Sequence, residues 1–93
     1  MNNKIALESM SMDLLRVALG VHRGSYKMAS RFFTEALKRN SEIDNKNLRP
    51  YFVRLLHKIS THREDDLKNS AEDFLMYSVL VQNYTKKFLN SGV

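Results

Sequence analysis

Apolar residues recur at helical spacing along almost the whole chain, and no stretch shows the period-two alternation of a strand. Leu7, Met10, Leu14, Val17, Ala18 and Val21 share one face of a helix turning about 100° per residue. Ile5, Met12, Leu15 and Leu19 form a second stripe on the same segment. A helix apolar on two sides needs two neighbours, or one neighbour and a partner chain.

Three further segments carry the same period. Ser25 is placed to cap a helix whose buried face is Tyr26, Ala29, Phe33, Ala36, Leu37 and Asn40. After a polar loop, Asn47 is a plausible cap for a helix with Pro50 in its first turn and Leu48, Tyr51, Phe52, Leu55, Leu56 and Ile59 inward. Thr61-His62-Arg63-Glu64 has capping-box spacing and opens a last segment. Its core face is Leu67, Ala71, Phe74, Leu75, Ser78, Val81, Thr85 and Phe88, with Tyr77 and Tyr84 at the edge. Met76, Val79 and Leu80 point away from that face, and Ser91-Gly92-Val93 reads as a frayed tail. The predicted fold is all-α: a small antiparallel four-helix bundle with helices over roughly 3–20, 25–40, 48–60 and 62–90, in a single domain 1–93.

Composition narrows the function. The 93 residues include no Cys, which excludes a disulfide framework, a zinc ribbon and a thiol nucleophile. The longest apolar run, Phe74 to Val81, is far below the about 20 residues of a membrane span. The first residues lead into an amphipathic segment carrying Glu8 and Asp13, unlike a secretory signal. A cytoplasmic protein with no membrane contact is the expectation. The formal net charge of +5 favours anionic partners, although ordinary surface decoration also gives this value.

The clearest polar pattern is a stripe of Arg23, Lys27, Arg31 and Lys38, within about 80° around the second helix. It could track a nucleic-acid backbone, or be the solvated outer face of a bundle helix with no interleaved aromatic for base stacking. His22, His57 and His62 lack the spacing of a metal site, and Glu64-Asp65-Asp66 suit a helix start without catalysis. No catalytic, cofactor-binding or metal-binding residue is assigned, and no small-molecule substrate is inferred.

Two short stretches resemble known families. Gly24-x-Tyr26-x-x-Ala29, followed by Phe32-Phe33-x-x-Ala36-Leu37, resembles the second helix of a tetratricopeptide repeat or of a MIT-type hairpin. That resemblance implies close packing on the preceding helix, although the preceding helix does not match and no second copy follows. Arg16-Val17-Ala18-Leu19-Gly20-Val21-His22 is similar to the R-x(4–6)-H signature of HEPN-type ribonucleases. The resemblance implies RNA cleavage through Arg16 and His22 at a dimer interface. Val17 stands where that family usually has a polar residue, and Gly20 interrupts the segment.

Surplus apolar surface without a chemical constellation points first to a non-enzymatic interaction module, a small subunit or adaptor. It would bind itself or a protein partner through Ile5, Met12, Leu19, Met76, Val79 and Leu80. A nucleic-acid-associated basic protein is the alternative, and a HEPN-like ribonuclease the third reading.

Overall fold

The computed structural model describes residues 2–89, and no strand occurs among them. Its architecture is the all-helical bundle predicted from periodicity: α1 (Asn3–His22), α2 (Tyr26–Ser41), α3 (Pro50–Ser60) and α4 (Ala71–Tyr84). A 3-10 helix over Glu64–Asn69 precedes α4, and a π-helical turn over Thr85–Leu89 follows it. The predicted last helical residue, Asn90, and the predicted tail lie outside the described residues. No helix among those described is long and apolar enough to cross a membrane.

The α1–α2 hairpin is the tightest part of the structure. Asn2 caps α1 by accepting from the Lys4 N–H at 2.7 Å. At the other end the Ser25 N–H donates to the Gly20 carbonyl at 2.8 Å and the Gly24 N–H to the Val21 carbonyl at 3.0 Å. This Schellman closure needs a left-handed residue, which Gly24 supplies at φ 72°. Ser25 then caps α2, its hydroxyl accepting from the Met28 N–H at 3.3 Å. Gly20 does not end α1; it lies inside the helix, against the backbone of Ala29. A Cβ at Gly20 would stand 2.8 Å from the Ala29 nitrogen. At the far end Asn3 donates to the Asp44 carbonyl and accepts from the Asp44 N–H, so the chain after α2 returns to the start of α1.

α1 is the central helix. Ala6, Leu7, Met10, Leu14, Val17 and Ala18 are buried, and α1 packs on α2 along one flank and on α4 along the other. Ala29, Phe33 and Ala36 come from α2, and Phe74, Tyr77, Val81 and Tyr84 from α4. α3 closes one end of the core with Phe52, Leu56 and Ile59. Phe52 stacks on Tyr84 with ring centres 3.7 Å apart and planes 4° from parallel. Asn40 of α2 donates to the Leu56 carbonyl at 2.8 Å.

Two helix starts differ from expectation. α3 begins at Pro50, not at 48, and Asn47 does not cap it. A residue before proline is disfavoured in the α region, and Arg49 is extended at φ −62° and ψ 141°. The Arg49 N–H, left without a side-chain cap on its own helix, donates to the Tyr84 hydroxyl at 2.9 Å. The capping box at Thr61 does not form either. Thr61 ends α3, its hydroxyl donating to the Lys58 carbonyl at 2.6 Å, while the Glu64 carboxylate accepts from Ser30 of α2. The predicted last helix breaks at Asn69-Ser70, residues whose side chains compete for backbone hydrogen bonds. The Ser70 hydroxyl donates to the Asp66 carbonyl at 2.9 Å.

The core face of α4 is also rotated. Tyr77 and Tyr84 are buried rather than marginal, because His62 and Phe52 pack against them, and Leu75 is exposed instead. Tyr51 and Tyr26, expected inward, are exposed as well. Tyr51 meets Tyr84 edge-on from outside, and Tyr26 lies in the first turn of α2, beyond the crossing at Ala29.

The two glycines give separable expectations. Gly20→Ala, worth a gain of about 1 kcal/mol at an open helix position, meets an overlap costing about 1–3 kcal/mol, so a net loss of up to about 2 kcal/mol is expected. Gly24→Ala has open space but the wrong backbone and should lose about 1 kcal/mol. Denaturant unfolding of Gly24→Asn should recover part of the second loss, since Asn tolerates this conformation. Gly20→Asn should recover none of the first.

Candidate functional site

Burial of α1 on two flanks leaves a third side bare. Ile5, Met12 and Leu19 line it at seven-residue spacing. With Met76, Val79 and Leu80 of α4 they are 37–54% exposed. The six side chains do not form one patch. Val79 stands in a row with Gln82 of α4 and Lys86 of the π-helical turn that follows, and those two share a small groove with Glu8 and Met12 of α1. Leu80 lies about 100° further round and faces α3, where it lines an apolar groove of about 360 Å³ with Tyr51, Leu55, Tyr84 and Phe88. Met76 is on the outer surface between these two flanks.

All four residues of the basic stripe are exposed. Lys27, Arg31 and Lys38 fall within about 40° on α2, whereas Arg23 belongs to the turn after α1. None of the four has a carboxylate within 4.0 Å among the described residues. No aromatic is interleaved in the row, but Phe32 lies beside it, about 100° round from Arg31 and half-buried. The guanidinium carbon of Arg31 lies 5.6 Å from the centre of the Phe32 ring, and that of Arg16 lies 5.2 Å from it. Phe32 thereby joins the two helices along the seam between them.

That seam is polar. Asp13, Arg16, Arg31, Glu35 and Arg39 surround Phe32 in a shallow groove of about 340 Å³. Asp13 is buried, with Arg16 3.4 Å away, and Arg39 pairs with Glu42 at 3.4 Å. The Arg39 Nε is buried without a hydrogen-bond partner among the described residues. Burial pushes the Asp13 carboxyl above its ordinary value of 3.8; Arg16 and Arg39 oppose the shift, and Glu35 adds to it. Arg39, Asp13 and Glu35 escaped the sequence reading, since their meeting depends on the register between α1 and α2.

Arg16 and His22 are not brought together within the chain. They lie about 120° apart around α1, and Arg16 is directed to Asp13 and Phe32. His62 is a packing residue: its Nε2 is 2.8 Å from the Tyr77 hydroxyl, and its ring meets Phe74 and Tyr77 edge-on. Burial, with a smaller contribution from Asp73, raises the Tyr77 hydroxyl above its ordinary pKa of 10.0. His57 is exposed on α3. Among the described residues, no group of three His, Cys, Asp or Glu side chains could hold a metal ion. No protein-family model, no curated protein and no solved structure matches this chain.

A raised Asp13 pKa makes its ionisation a cost to folding. The associated stability is fully present below the unfolded value of 3.8 and is lost as pH rises through the folded value. Asp13→Asn, which holds the site neutral, should therefore raise the melting temperature at about pH 7 and have little effect at about pH 3. Thermal unfolding at both pH values checks this. A lower melting temperature for the variant near neutrality would mean that the Arg16 pair outweighs burial.

Proposed function

We propose that this protein is a non-enzymatic interaction module, a small subunit or adaptor of the cytoplasm that binds itself or a protein partner through the apolar faces of α1 and α4. One observation carries this reading. Six large apolar side chains, Ile5, Met12, Leu19, Met76, Val79 and Leu80, stay exposed on two helices that already have full packing partners. Each side chain is about half exposed, so burying what remains in a complex is worth about 1 kcal/mol each, and several together favour association. Chemical cross-linking in the host cell, read by mass spectrometry, tests it. Species joined to this chain, including further copies of it, should be lost when Met12→Glu and Val79→Glu are combined in a variant of unchanged helicity. Persistence of every cross-linked species would overturn the reading.

A second reading rests on the unpaired cations. Lys27, Arg31 and Lys38 form an exposed row on one face of α2, beside Phe32. Three phosphate contacts to duplex DNA give a log–log salt slope of about −2.7, a loss of about 40-fold in affinity between about 50 and 200 mM salt. Fluorescence anisotropy should show that slope, and Arg31→Glu should reduce it. Absence of binding at the lowest salt would remove nucleic acid as a partner.

A further inference from the structure

The ridge of α1 has a symmetry that suits one occupant in particular. Ile5 and Leu19 lie seven residues to either side of Met12, and Glu8 and Arg16 lie four residues to either side. Along the axis these are offsets of about 10 Å and 6 Å. A second α1 running antiparallel, with the two-fold axis at Met12, sets Met12 against Met12, Ile5 level with Leu19, and Glu8 level with Arg16. Opposite charges thus meet at both equivalent positions. No like-charged pair is aligned within this stretch: Ser9 is level with Leu15, and Lys4 with Gly20.

The surroundings allow the approach. α2 meets α1 at Gly20, about 80° round from Met12, and α4 meets it near Ser11, about 100° round the other way. The line of Ile5, Met12 and Leu19 therefore runs between two neighbours that flank it, and neither covers it. Glu8 is exposed and has no ion-pair partner among the described residues. Arg16, paired with Asp13 on one side, keeps 43% of its side chain in solvent.

We infer that the exposed ridge of α1 is a two-fold self-docking surface, on which a second copy of this chain lies antiparallel across Met12, joined by reciprocal Glu8–Arg16 pairs. The inference rests on the reading that the apolar faces bind protein, and it names the partner and the register. Isologous contacts of this kind bury the same patch on both subunits. One helix ridge is smaller than the about 800 Å² per partner of a standard interface, so a dissociation constant of about 10–100 µM is expected.

Sedimentation equilibrium up to about 500 µM, with a set of surface variants, tests it. The wild-type chain should dimerise. Glu8→Arg should weaken the dimer by about 10-fold, and Glu8→Arg combined with Arg16→Glu should restore it to within about 3-fold. Because the chain has no cysteine, Met12→Cys should give a disulfide-linked dimer under mild oxidation, and Met76→Cys should give little. A monomer at every concentration overturns the inference, as does failure of the double charge swap to restore the dimer. Association abolished by Val79→Glu but untouched by Met12→Glu also overturns it, while leaving intact the broader reading of the apolar faces.

Discussion

The backbone-to-backbone approach of α1 and α2 at Gly20 and Ala29 governs the rest of the molecule. No side chain fits between the helices at that point, so they run close from the turn onward. Close pairing on one flank obliges α1 to turn its larger residues, Leu7, Leu14 and Val17, to the core shared with α4. A helix covered on two flanks has one side left over. The bare line of Ile5, Met12 and Leu19 follows from this geometry and is not a packing fault.

The same closeness shapes the polar seam. With the helices this near, Phe32 is half-buried at the rim, and Arg16 and Arg31 reach its ring from α1 and α2. Guanidinium groups are weakly hydrated and planar, so they cover an aromatic face at little desolvation cost. Asp13 lies deeper, where charge is disfavoured, and Arg16 and Arg39 offset only part of that penalty. The outer ends of the arginines remain in water and are the part of the seam another molecule would meet.

Local signals marked only part of the hairpin: the Ser25 cap was legible, whereas the first helix, expected to run to about Gly20, continues to His22. Ser25 caps α2, Gly24 takes the left-handed turn, and the 3.6-residue period of α1 separates core from ridge correctly at Leu7, Met10, Leu14, Met12 and Leu19. The less legible features depend on partners far along the chain. Tyr77 and Tyr84 are buried because His62 and Phe52 meet them. Thr61-x-x-Glu64 has capping spacing, but Glu64 is taken by Ser30, 34 residues away. The Phe32 environment required the register between two helices. Only the start of α3 was locally decidable: a residue before Pro50 resists helical backbone, which excluded a start at 48.

The attachment of α3 has a consequence for how the fold opens. Among the described residues α3 is held to the other helices by its Leu56 carbonyl, which accepts from Asn40, by the N–H of its cap Arg49, which donates to Tyr84, and by the buried side chains of Phe52, Leu56 and Ile59. The hairpin and α4, by contrast, share a continuous core along α1. Cooperative units of unequal stability follow from such unequal attachment. α3 is tied to the rest of the fold more lightly than the hairpin and α4 are to each other. α3 covers the Tyr84 side of α4 beside the Leu80 groove, a cover that the α1 ridge lacks.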